Sequence, residues 1–123
     1  MKLVFLIARI LLGVMFTVFG LNGFFHFIPQ PMPTGDALAY FVVLGGTGYI
    51  KFVFAIQLVS GVLFLLGKYV PLALTLIAPV IVNILLFHVL MQPAGLPPGV
   101  LATVLWAVVF YKEREAFAGI LRA

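Results

Sequence analysis

Val70-Pro71-Leu72-Ala73-Leu74-Thr75-Leu76-Ile77-Ala78-Pro79-Val80-Ile81-Val82-Asn83-Ile84-Leu85-Leu86-Phe87-His88-Val89-Leu90-Met91 runs for 22 residues without an acidic or strongly basic side chain. A bilayer core about 30 Å thick takes about 20 residues of helix, so this stretch reads as a membrane span. Similar runs extend from Leu3 to Phe27, Tyr49 to Leu66 and Pro97 to Tyr111. The last is short and is expected to continue as helix through Lys112 and Glu113. Apolar residues make up 65% of the chain, charged residues 8%, and the mean hydropathy is +1.31. A soluble domain carries roughly a quarter charged residues, and this chain cannot build such a surface. The runs are continuous rather than alternating, which excludes barrel strands. The prediction is a single all-α domain over residues 1–123, an integral membrane four-helix bundle.

The first run exceeds the roughly 7–15 residues of a signal-peptide core and offers no A-x-A-like cleavage site, so it reads as a retained helix. Four spans put both termini on one side. That side collects Lys2, Arg9, Lys68, Lys112, Arg114 and Arg122, with Lys51 alone opposite. The positive-inside rule predicts cytoplasmic termini and external Asp36 and Gly95. The net charge of +4 thus reads as an orientation signal and a contact for anionic lipid. Its carriers are spread over separate ends, so a nucleic-acid partner is not expected. Without cysteine, thiol relay chemistry is excluded for this chain alone.

The connection from residue 28 to 48 opens with Pro29, Pro31 and Pro33, which oppose helix. Asp36 to Leu44 is predicted as a short external helix at the membrane interface, with Asp36 as N-cap and Leu38, Phe41, Val42 and Leu44 as its apolar residues. This loop and the one from Gln92 to Gly99 read either as simple connectors or as a lid.

What a lid would cover follows from a repeated phrase. Phe25-His26 and Phe87-His88 each open the pattern F-H-x-x-x-Q-P, closing at Gln30-Pro31 and Gln92-Pro93. The match reads as duplicated hairpins or as chance in a Phe-rich chain. His26 and His88 are the two histidines of the chain, both at span ends, and an ionisable group there is a functional candidate. Catalytic zinc wants three protein ligands, and with Asp36 as the one further donor no metal site is expected. Haem fits poorly, because histidines at span ends would leave it half exposed. A quinone or another amphipathic head group fits better: neutral imidazole both donates and accepts, and Phe25, Phe87 and Trp106 supply apolar walls. Asn22 shares a face with His26, and Asn83 and Gln57 add amides. The alternative for all of these is interface anchoring and helix–helix bonding, in which lone amides act as glue.

Two further features read as structural. Arg9 either snorkels to the interface or pairs with Glu113 or Glu115 to lock the first span to the last. Gly13, Thr17 and Gly20 share one face and predict a helix-packing seam.

Ala8-Arg9-Ile10-Leu11-Leu12-Gly13, Val18-Phe19-Gly20-Leu21-Asn22-Gly23, Ser60 to Gly67 and Ala78 to His88 together resemble the DoxX family, over about residues 9–111. The resemblance implies a small four-helix prokaryotic membrane protein in the plasma (inner) membrane. It also implies an association with a quinone-linked membrane or peripheral oxidoreductase. Members often carry an acid before the G-x-L-x-L-x-G stretch, where this chain has Gln57, so no proton-relay role is carried over. The expectation is a quinone- or lipid-binding accessory subunit of a membrane redox system. The alternative is a non-catalytic scaffold docking a partner, or a second copy, through small-residue helix faces. Whether it catalyses anything is left open.

Overall fold

The computed structural model describes residues 1–29, 32–120 and 122. Among them the chain is helical: α1 (Lys2–Phe25), α2 (Gly35–Gly46), α3 (Tyr49–Leu66), α4 (Val70–Leu90) and α5 (Leu96–Glu113). A short 3-10 turn, Pro93–Gly95, precedes α5, and another, Arg114–Phe117, follows it. Four of these helical stretches are long and apolar enough to cross a membrane, and α2 is a shorter apolar helix. The four long helices expected are present, with small shifts at their ends. The short helix starts one residue earlier than predicted. Thr34 is its N-cap and Asp36 lies in its first turn.

The long helices form a ring in which α1 packs on α3, α3 on α4, α4 on α5 and α5 on α1. Successive members run antiparallel. The end where α1 finishes and α5 begins, with α2 beside it, is called here the α2 end; the opposite one is the terminal end. Leu12, Phe16, Phe64, Leu74 and Ile77 fill the centre, while Leu, Val, Ile and Phe side chains remain exposed along the outside of every helix.

The closest pairing is α1 with α3. A Cβ at Gly13 would lie 2.9 Å from Leu65, and one at Gly20 would lie 2.7 Å from the Leu58 nitrogen. On the facing side, a Cβ at Gly61 would stand 2.4 Å from the backbone nitrogen of Thr17 and 2.6 Å from its Oγ1. Leucines of α3 therefore seat on glycines of α1, and the glycine of α3 seats on Thr17. These contacts join Gly13 to Leu65, Thr17 to Gly61 and Gly20 to Leu58, a constant antiparallel register. Side-chain-free positions let the backbones approach, which is how helices associate where burial from water contributes little. The hydroxyl of Thr17, buried here without a hydrogen-bond partner, is the polar cost of that closeness.

Each helix end has a visible cause. Gly67 takes the left-handed conformation at φ 67°. Its N–H meets the Phe64 carbonyl at 3.3 Å, and the Lys68 N–H meets Leu63 at 3.3 Å. This is the paired arrangement that closes helices on glycine. Arg9 completes it: Nη1 donates to the Phe64 carbonyl and, at 3.4 Å, to that of Leu65. The guanidinium packs so near that a Cβ at Gly67 would lie 2.7 Å from Nη1. Of the two readings of Arg9, snorkelling or a pair with Glu113 or Glu115, the bonds observed for its guanidinium are to backbone carbonyls of α3. Arg9 reaches the terminal end, where it is held by α3, whose last carbonyls lack partners further along the helix and carry its negative pole. In α4, Pro79 sits mid-helix, and α5 carries Pro97 and Pro98 in its first turn, where a missing N–H costs nothing.

Two stability predictions follow from these contacts. Gly61→Val should lower the thermal midpoint in detergent by the equivalent of about 1–3 kcal/mol or more. Gly45→Ala, at a position with nothing within 4 Å, should change it by less than about 0.5 kcal/mol. Removing the Arg9 cap with Arg9→Leu should cost about 1.5–3 kcal/mol, the range for bonds to charged groups. Glu113→Gln should cost little, with the double variant additive. A coupling above about 0.5 kcal/mol would reinstate the ion pair.

Candidate functional site

The two histidines are not equivalent. His26 lies one residue past α1 in the left-handed region, φ 52° and ψ 44°, and its N–H bonds the Asn22 carbonyl at 2.8 Å. Histidine is among the residues that tolerate this conformation best after glycine. Asn22 serves the same cap with its side chain, Oδ1 accepting from the Ile28 N–H at 2.7 Å. Asn22 is therefore spent on ending α1, and the backbone of His26 takes part in that cap. The imidazole of His26 and the ring of Phe25, 72% exposed, face outward.

His88 instead lies inside α4. Its Nδ1 is 2.9 Å from the Ile84 carbonyl. A carbonyl only accepts, so Nδ1 donates in this contact. The ring packs on the 3-10 turn, where a Cβ at Gly95 would be 2.7 Å from Nε2. The helices α1 and α4 stand across the ring from each other, not side by side. The two copies of the phrase thus take different structures over their described residues, one past a helix end and one within a helix. Gln30 and Pro31 of the first copy lie outside the described residues.

Three expected residues do come together, with a fourth that sequence reasoning missed. Asn83 and Phe87 are one turn apart on α4, and α2 lies over both. Tyr40 accepts a hydrogen bond at its hydroxyl from Asn83 Nδ2 at 2.9 Å. Its ring stands 4.7 Å from that of Phe87, which also meets Phe41 at 5.3 Å and His88 at 5.1 Å. Phe87 is 7% exposed beneath them. The signal for Tyr40 was present in spacing: Ala37, Tyr40 and Leu44 recur at i, i+3 and i+7, and Ala37 is fully packed. They form the inward face of α2, which sets the phenol toward the bundle.

This cluster keeps unused hydrogen-bonding capacity. Because Tyr40 accepts from Asn83, its own hydroxyl hydrogen is available, and Asn83 retains Oδ1 as an acceptor. One donor and one acceptor thus stand beside the exposed ring of Phe41, which is backed by buried Phe87. A carbonyl or hydroxyl on a flat or apolar molecule suits that arrangement.

The remaining candidates lie elsewhere. Gln57, 5% exposed, and fully buried Ser60 belong to the packed face of α3. Trp106 donates from Nε1 to the Leu74 carbonyl at 3.0 Å and stacks on Phe110 at 5.0 Å, bracing α5 against the first half of α4. Between these two helices Ala78, Ile81, Val82, Leu85, Thr103 and Trp106 line an apolar cleft of about 200 Å³. Gly13, Gly20 and Gly61 are taken up within the chain by Leu65, Leu58 and Thr17, so those positions are not available to a docking partner. Among the described residues no three His, Cys, Asp or Glu side chains gather. No family model, no curated protein and no solved structure matches the chain.

Proposed function

We propose that this chain is a multi-pass membrane protein, DoxX-like in sequence, with both termini cytoplasmic and α2 on the outer side. It serves as a quinone- or lipid-binding accessory subunit of a membrane redox system. The observation that supports the reading is the Asn83–Tyr40 hydrogen bond beside Phe41 and Phe87. Polar side chains within membrane helices mark functional positions, and Asn83 is exposed rather than sealed in the core. The head group of an amphipathic molecule takes the phenol hydrogen of Tyr40 on a carbonyl, or donates a hydroxyl to Asn83 Oδ1, while its apolar part lies against the aromatic rings. His88, next to Phe87, borders this site, and His26 does not.

Orientation is tested in a chain that has no cysteine. A cysteine placed at Asp36 should react with an impermeant reagent from outside intact cells, and one at Lys68 only after the membrane is opened. The reverse pattern would invert the topology. For the ligand, decylubiquinone titrated onto the purified protein should bind about 2- to 13-fold more weakly to Tyr40→Phe, the loss of one hydrogen bond of about 0.5–1.5 kcal/mol. Binding to His26→Ala should be unchanged. Loss with His26→Ala but not with Tyr40→Phe would return the site to the histidines. Failure of the quinone to bind, with no amphipathic lipid co-purifying, would leave the scaffold reading.

A further inference from the structure

The seam between α1 and α5 is open where the one between α1 and α3 is closed. Leu11, Met15 and Phe19 of α1 face Leu101 and Leu105 of α5 across an apolar cleft of about 270 Å³. The α1 wall from Leu11 to Phe19 is about 12 Å long at 1.5 Å per residue. Toward the terminal end, Val4 and Ile7 continue it as exposed apolar side chains.

The α5 wall changes character at that end. Leu101, Leu105, Val108 and Lys112 recur at i, i+4, i+7 and i+11, so the lysine stands on the face that lines the cleft. Glu113 is one residue on, about 100° around the helix, and thus off that face. Beside the mouth, Tyr111 stacks on Phe5 at 6.3 Å and carries the Arg114 guanidinium 4.2 Å from its ring centre. Arg114 also donates to the Tyr111 carbonyl at 2.6 Å. Arg114 is anchored in this way, and exposed Lys112 is the cation on the cleft's own face. Lys2, Lys68, Lys112 and Arg114 outnumber Glu113 and Glu115 at this end. A groove of apolar side chains ending in a cation is complementary to an acyl chain ending in an anion.

We propose that the α1–α5 cleft holds an acyl chain of an anionic glycerophospholipid whose phosphate pairs with Lys112. Its head-group end at Lys112 lies at the opposite end of the bundle from Tyr40 and Asn83, while the apolar cleft occupies the middle of the α1–α5 seam. It rests on the membrane-spanning reading and is independent of the quinone.

The test titrates the full-length chain in detergent with phosphatidylglycerol and phosphatidylcholine of identical acyl chains, counting retained lipid by native mass spectrometry. Phosphatidylglycerol should be retained about fivefold better, the ratio that one cation near an anionic surface supplies. Lys112→Gln should bring the two lipids level, while Lys68→Gln, at the same end but off the cleft, should keep the preference. Leu101→Trp, which fills the cleft from an exposed position, should lower retention of both without lowering the thermal midpoint. Equal retention by the unaltered chain, or the same loss from Lys68→Gln as from Lys112→Gln, would overturn the proposal. Either result would leave the membrane-spanning reading intact.

Discussion

The contact of Gly61 with the backbone of Thr17 is the constraint from which the rest of the arrangement follows. Among apolar helices in apolar surroundings, burial from water supplies little attraction, and dispersion at short range has to hold the pair together. Any side chain at Gly61 would collide with peptide atoms, which cannot swing aside. Once α3 is seated on the glycine face of α1, its last turn falls beside Arg9 and its last carbonyls receive that guanidinium. A single seam thereby fixes both the separation and the register of the first two long helices. The α4 and α5 helices close the ring from the other side, and α2, entering directly before α3, is brought onto α4.

Much of this fold is legible in the residues, because its causes are local. Continuous apolar runs of sufficient length define the long helices, and Gly67 ends α3 as a left-handed glycine should. The stripe Gly13, Thr17, Gly20 marks the seam, since spacing alone places those positions on one face. What spacing cannot show is how a polar side chain is spent. Asn22 and His26 look like ligands for a head group, yet Asn22 is used to stop a helix and the His26 backbone provides the left-handed cap. Arg9 had acidic residues within conceivable reach, but the carbonyls of a helix end carry no sequence signature. Tyr40 meets Asn83 across 43 residues of chain, and no local pattern announces that pairing.

The candidate site gains meaning from this distribution of roles. Polar groups at the caps and against Leu74 are taken up by the fold itself, and the Thr17 hydroxyl is sealed within the seam. The pair Tyr40–Asn83 holds α2 on α4 and still has a donor and an acceptor to offer. The inward aromatic face of α2 and the exposed amide of α4 then act together, as a small polar spot within an apolar and aromatic surround. Basic side chains gather at the other end of the bundle, away from this pair.

The most direct test of the account is to map where a quinone sits. An azido-quinone bound to the protein and photolysed should attach to peptides that contain Ala37 to Phe41 of α2 and Asn83 to His88 of α4. Attachment centred on Asn22 to Pro29 at the end of α1, with α2 and α4 unlabelled, would contradict it.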